Sequence, residues 1–368
     1  MALEIVPYTD EAVAAVAAFN ERMRLGGQGV FLLPDAPPLP PPPEARIRAV
    51  YNLATEGGFV RGAFVLANYP AWLGGEEITA TDWMAPLSEG IIDKRHSLLA
   101  LNFVRYVQRH APYAFAVGMG DAGNPYPRLL RASGWTLLKA PFLFRVFRPA
   151  RFFRQLRLLQ TTAIRRALSG TAATTGLGAV ALAAVHWRSH LEAGRAAGLT
   201  VEPVVEWGEW ADPIWTGFRA TCSFATARDA ATLRYLYPSS EPRSLRFLVR
   251  HAGRPVAWAA ALNTPMRNDG FFGDLRVATI MDCIGEAPAL PAAIHAVAQA
   301  LAAEGADLVI ANQTHAAMIA AFRKAGFAEG PSNFHLGISK GIAARVREGL
   351  GLAAVHITRG DGDGRMHL

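Results

Sequence analysis

Nowhere along the chain do the apolar positions change period more clearly than in residues 306–327, ADLVIANQTHAAMIAAFRKAGF. Ala306 to Ala311 is a short continuous apolar run of the kind a buried strand makes, and Ala316, Ile319, Ala320, Phe322 and Arg323 then fall at helical spacing. Gly326 ends the helix. Between strand and helix lies a polar turn of Asn312, Gln313, Thr314 and His315, in which Asn312 and Thr314 are acceptable N-caps. Ligands of α/β sheets gather at the carboxyl ends of strands, so this turn is a place where chemistry can sit.

The same reading predicts elements elsewhere. Leu3 to Pro7 is a first strand, and Thr9 or Asp10 caps a helix with Val13, Val16, Ala17 and Phe19 on one face. FLLPDAPPLPPPP at 31–43 cannot be regular, because proline fixes φ and removes backbone donors. Two β-rich segments, AVYNLATEG and FVRGAFVLANYP, meet at a Gly57-Gly58 turn; GEEITATDW gives a further strand, a helix runs from Asp93 to about His110, and Ala114 to Gly118 is another strand. The short helix RLLRASG and the strands of WTLLKAPFLFRVF close this half, with a bend at Pro141.

The second half repeats that order. Strands at Phe247–Arg250, Pro255–Asn263 and Phe271–Asp282 precede a helix at Ala287–Gly305, then the 306–327 stretch, then a closing strand at Asn333–Ser339. Asn68-Tyr69-Pro70 is matched by Asn263-Thr264-Pro265, and Gly134-Trp135 by Gly326-Phe327, at separations of 66 and 63 positions. An internal duplication explains this economically. The predicted architecture is two tandem α/β domains at 1–149 and 200–340, a basic helical connector at 150–199 and a tail at 341–368.

Composition narrows the classes. With 368 residues, two domains are expected, and 51% hydrophobic against 18% charged residues describes large cores and no disordered chain. The net charge of +7 and pI near 9.7 suit an anionic ligand, a phosphate-bearing cofactor or a membrane surface. Much of that charge sits in the connector, where seven arginines from Arg151 to Arg195 face one acid, Glu192. Phe152, Phe153, Leu156 and Leu159 make residues 151–166 a basic amphipathic helix, read as an interdomain connector with peripheral membrane contact as the alternative. Arginines concentrated in one connector, instead of in a groove with stacking aromatics, exclude nucleic-acid binding. Gly170 to Trp187, mostly Ala, Gly and Thr, is too weakly apolar for a membrane span and reads as a packed helix. The N-terminus lacks a signal-peptide pattern, and two distant cysteines, Cys222 and Cys283, match no metal or redox spacing, which places the protein in a reducing cytoplasm. Asp361 and Asp363 fall short of a calcium loop, and their glycine-rich segment reads as a flexible tail.

The order of elements in both halves, with NQTHAAMIAAFRKAGF, FNERMR and RDAATLRYLY, resembles the GCN5-related N-acetyltransferases, in particular larger bacterial members with tandem domains. That resemblance implies acyl-CoA in the gap where the fourth and fifth strands splay, its pyrophosphate on backbone N–H groups at the start of the next helix. The corresponding loops are Ser88 to Arg95, with Gly90, and Cys283-Ile284-Gly285-Glu286-Ala287-Pro288, with Gly285. Both contain acids, and neither carries the family's full Arg/Gln and Gly pattern. The family's tyrosine, four residues before the helix-ending glycine, is Leu130 in one half and Phe322 in the other; Tyr126 stands nearby in the first. Acyl transfer to a small amine or hydroxyl needs a base and donors for the oxyanion. Asp282, Asn312 and His315 flank the second gap, which makes the second half the expected catalytic one, with Met281, Cys283, Gly285, Glu286, Ala287 and Gly90 as cofactor contacts and no metal. In the first half Asp82, His96, Asp121 and Asn124 lie near the equivalent gap. The alternative is a non-catalytic scaffold that keeps the fold without the cofactor.

Overall fold

The computed structural model describes residues 3–29, 32–39, 41, 45–157, 180, 195–196 and 198–362. The packed helix expected at Gly170–Trp187, most of the connector and Asp363 lie outside them. Residues Met1–Leu138 and His335–Gly349 form unit 1, and Lys139–Phe334 and Leu350–Leu368 form unit 2.

Unit 1 begins with β1 (Glu4–Pro7) and α1 (Val13–Leu25), then the antiparallel run β2 (Arg48–Glu56), β3 (Phe59–Leu73) and β4 (Glu76–Ser88). Gly57 and Gly58 join β2 to β3 at φ of 60° and 81°, the twist-matched two-residue turn that residues with a Cβ resist. α2 (Leu99–His110), β5 (Ala114–Val117), α3 (Pro125–Ala132) and β6 (Thr136–Lys139) follow. The helix expected from Asp93 starts later, because residues 89–96 form two short 3-10 turns. Alternation along the strands sends Leu53 and Ala63 to the face under α1, and Ala54 and Phe64 to the face under α2 and α3.

The chain then enters unit 2 through β7 (Phe142–Val146) and α4 (Pro149–Gln155). β8 (Leu199–Pro203), α5 (Ala211–Arg219), β9 (Phe224–Thr226), α6 (Ala230–Leu236), β10 (Leu245–His251), β11 (Arg254–Pro265) and β12 (Arg276–Gly285) lead to α7 (Leu290–Ala303). β13 (Leu308–Asn312), α8 (Ala316–Lys324) and β14 (Ala328–Gly330) complete the stretch read first in the sequence. The chain returns to unit 1 for β15 (His335–Ile338) and α9 (Lys340–Glu348), and ends in unit 2 with β16 (Val355–His356).

The two sheets have one topology. Unit 1 is ordered β1-β2-β3-β4-β5-β15-β6 and unit 2 β8-β10-β11-β12-β13-β7-β14. In each, the strand inserted between the last two comes from the other half of the sequence: β15 pairs with β5, and β7 with β13 and β14. The strands expected to close each half therefore close the opposite unit, and the boundaries 1–149 and 200–340 give way to two discontinuous units. The link between β6 and β7 is Ala140-Pro141; a type I′ hairpin there would put Pro141 at positive φ, which proline cannot adopt, and a type II′ hairpin would put Ala140 there, which a residue with a Cβ resists. β7 accordingly runs on instead of folding back on β6.

The described start of the connector is part of unit 2. Phe152 and Leu156 are buried against Val146, Leu275, Val277 and Ile310, while Arg148 and Arg151 pair with buried Asp307 at 3.5 and 3.3 Å. The apolar side chains of Phe152 and Leu156 thus face a protein core. Among the described residues no helix is long and apolar enough to cross a membrane.

Candidate functional site

In unit 1, β4 and β5 are parallel neighbours only at Thr81–Ala114 and Asp82–Phe115, and part beyond. A bulge bends β4 just past that point, where Ala85 sits at φ 47°, a left-handed conformation that non-glycine residues rarely take. Between the end of β4, α2 and α3 lies a cavity of about 150 Å³ lined by Trp83, Pro86, Ile91, Phe103, Tyr126 and Leu129. Trp83 and Tyr126 meet edge to face with ring centroids 5.2 Å apart, and the Tyr126 hydroxyl donates to the Trp83 carbonyl at 3.2 Å. Burial, and next the charge of Asp82, push the Tyr126 phenol well above its ordinary pKa. On β15, His335 donates from Nδ1 to the Gly120 carbonyl at 2.8 Å, just past the end of β5.

Unit 2 parts its strands in the same way. β12 and β13 pair from Val277–Leu308 to Ile280–Ala311 and separate at a bulge opposite Ala260 and Ala261. Here the parting holds protein. β16 pairs with β9, Thr358 bridges to Gln313, and the Thr314 hydroxyl donates to Val355 O at 2.7 Å and accepts from Ile357 N at 2.9 Å. Val355, His356, Ile357, Thr358 and Asp361 are all fully buried. As far as Asp361 this overturns the flexible tail expected there: Asp361, one of the two carboxylates weighed for a cation, accepts from Arg228 Nη2 at 2.7 Å and from the Thr226 hydroxyl.

Arg228 also donates from Nε to Asp282, which accepts from the Tyr237 hydroxyl at 3.0 Å and lies 3.8 Å from His356. Burial alone would raise the Asp282 carboxyl, but Arg228 and His356 hold it below its ordinary value. His315, the N-cap of α8, is buried and donates from Nε2 to Thr221 O at 3.1 Å; burial and then His356 lower its pKa. The two imidazoles lie 6.2 Å apart. Asn312 donates to Pro141 O at 2.9 Å. The structure thus gathers Asp282 and His315 around His356 in a buried polar core.

The expected cofactor contacts disperse similarly. Met281 and Cys283 are core residues of β12, and burial drives the Cys283 thiol far up. A Cβ on Gly285 would lie 2.5 Å from that of Ala257, so this glycine serves strand packing. Glu286 forms a two-pronged pair with Arg254, and Ala287 lies exposed in the turn before α7. In unit 1 the acid of the equivalent loop, Glu89, is turned inward: burial raises its carboxyl, but Arg22 at 2.6 Å and Arg61 at 3.0 Å hold it below its usual value. Asp121 and Asn124 stand in the exposed turn before α3, and His96 lies 3.9 Å from Glu89.

An antiparallel run, a bulged strand that parts from a parallel neighbour, a helix on each side of the parting, and one strand inserted at the far edge occur twice. Both units have the GCN5-related N-acetyltransferase fold. No protein-family model and no curated protein matches the sequence. Solved structures similar to it include a GCN5-related N-acetyltransferase from Anabaena variabilis, at 10% identity and TM-score 0.49, over 91% of this chain and 72% of that one. N-myristoyltransferase from Saccharomyces cerevisiae, with bound myristoyl-CoA and inhibitors, is similar at 8% identity and TM-score 0.48, over 92% and 79%. A tandem GNAT protein from the clavulanic acid biosynthesis pathway is similar at 15% identity and TM-score 0.44, over 92% and 99%. At these identities the likeness concerns the fold alone.

Reading by sequence position named Tyr126 beside the expected position without giving it a role, and did not single out His335. Tyr126 comes from the first turn of α3, four residues before the expected position, and its signal was an aromatic just inside a proline-started helix. His335 carried no signal, because the strand exchange that brings it to β5 is invisible in the chain order.

Proposed function

We propose that unit 1 transfers an acyl group from a pantetheine thioester, such as acyl-CoA, to the amine or hydroxyl of a small acceptor, and that unit 2 is its non-catalytic partner. The observation that carries this reading is the contrast between the two partings: unit 1 keeps an apolar cavity beside Trp83 and Tyr126, and unit 2 fills the same place with residues 355–361. Asp282, Asn312 and His315 then act as structural groups of unit 2, so the scaffold reading applies to that unit.

In the proposed reaction the acceptor nitrogen or oxygen attacks the thioester carbonyl. A C–N or C–O bond forms and the C–S bond breaks. The acceptor proton passes to water, and the leaving thiolate takes the phenolic proton of Tyr126, which water restores. A phenol whose pKa is raised by burial and by Asp82 stays protonated at neutral pH, as a general acid requires.

Calorimetry with acyl-pantetheine amides from acetyl to dodecanoyl tests the site. Ala100 lines the cavity, and Ala100→Trp should abolish binding by filling it. Tyr126→Phe should leave binding within a few-fold and cut turnover with an acyl-pantetheine thioester and a panel of small amines by about 10²-fold or more. Binding that survives Ala100→Trp would sink the reading.

A further inference from the structure

The turn that follows β4 belongs to two sides of unit 1 at once. Residues Glu89–Ile91 form a 3-10 turn, in which side chains three positions apart eclipse one another. Ser88 and Ile91 accordingly share one side of it, and both line the cavity. Glu89 and Ile92 share another. Ile92 packs against the core under α1, which holds Phe19, Met23 and Leu87.

Glu89 fastens the turn on that side. Its buried carboxylate accepts from Arg22 Nε of α1 at 2.6 Å and from Arg61 Nη1 of β3 at 3.0 Å, and Arg22 Nη2 also donates to Val60 O at 2.6 Å. A buried charge is costly to leave unpaired, so the carboxylate and the turn it belongs to stay where the two guanidiniums are. The Glu89 carbonyl closes the turn, accepting from Ile92 N at 3.0 Å and Asp93 N at 2.9 Å. Gly90, expected to contact a cofactor, donates its N–H to the Ser88 hydroxyl at 3.1 Å, and a Cβ there would lie 2.5 Å from His96 O; this glycine lets the turn pack on the one after it. A second tie comes from the end of α1. A Cβ on Gly26 would lie 2.5 Å from Ile92 Cγ2 and 2.7 Å from Ile92 Cβ, so a larger residue at 26 must push the turn and α1 apart.

So short a turn cannot move Glu89 and Ile92 without carrying Ser88 and Ile91. We infer that Glu89 is a positioning residue for the donor site: with Gly26 and Ile92 it couples α1, on one face of the sheet, to the wall of the cavity on the other. Neither Glu89 nor Gly26 is among the described residues that line the cavity. Their effect on a ligand there passes through the turn.

This inference rests on the acyl-transfer reading of unit 1, and the two fail differently. Calorimetry with octanoyl-pantetheine amide measures the donor site, and turnover with the matching thioester and a panel of small amines measures the chemistry. Glu89→Gln and Gly26→Ala should each weaken binding about tenfold. KM should rise by a like factor while kcat at saturating donor stays within about threefold, because Tyr126 sits on α3, outside the link. Arg22 and Arg61 are 30% and 22% exposed, so they can rehydrate in Glu89→Gln, and Gly26 has a φ of −78° that alanine adopts freely. Adding Ile92→Ala to Gly26→Ala removes the clash and should restore most of the lost affinity, which a general loss of stability would not do. Unchanged binding by both single variants, a fall in kcat in place of affinity, or failure of Ile92→Ala to rescue Gly26→Ala would each overturn the inference and leave the transferase reading standing. No binding by the unaltered chain would remove that reading, and the inference with it.

Discussion

At the residue scale, Arg228 decides what Asp282 does. A charge removed entirely from water must be paired, and Arg228 meets Asp282 and Asp361, respectively 54 and 133 residues away in sequence. A carboxylate at the end of a buried strand is easy to find in a sequence and reads naturally as chemistry. Its arginine partner is not, because nothing local links the two. The same cluster sets a pH dependence. His315 has a pKa below its ordinary value, so the unfolded chain takes up a proton first, and stability is full above about pH 6.5 and falls as the pH drops through that region. The Asp282 carboxyl is also held low, so its contribution is full above about pH 4 and is lost only as the pH falls toward its folded value. Urea denaturation of unit 2 should therefore show two acid losses, and His315→Gln should remove the upper one and keep the lower.

At the element scale, the surprise is the C-terminal segment. Gly and Asp in RGDGDG suggest a solvated loop, and composition cannot distinguish that from a segment whose carboxylate is neutralised inside a core. Thr358 and Asp361 form a reciprocal capping box around a short 3-10 turn, which lets polar residues enter the parting with their backbone groups bonded. Gly360 sits so close to β12 that a Cβ would fall 1.8 Å from the Tyr237 hydroxyl and 3.3 Å from the Asp282 Cβ. Gly360→Ala should cost about 1–3 kcal/mol of stability by overpacking. Because that contact is with the phenolic oxygen, combining it with Tyr237→Phe should cost less than the sum of the single changes, and additive losses would contradict the packing described.

At the scale of the whole molecule, the exchange of β7 and β15 makes each half of the sequence incomplete. Residues 1–157 alone lack the strand between β5 and β6, and residues 195–368 lack the one between β13 and β14. Such gaps leave unpaired strand edges, so each fragment alone should lack fixed near-ultraviolet circular dichroism, and mixing the two should restore it. Independent folding of residues 1–157 would contradict the exchange. The sequence by itself determined that one folding unit was written twice: hydrophobic period, glycine turns and the repeated Asn-x-Pro and Gly-aromatic pairs are local properties, legible wherever strands and helices bury one face. Only the tertiary structure decided which strand completes which sheet and which of two equivalent partings stays open. Those outcomes depend on where a proline-blocked hairpin sends the chain, and on a charged cluster whose members meet only after folding.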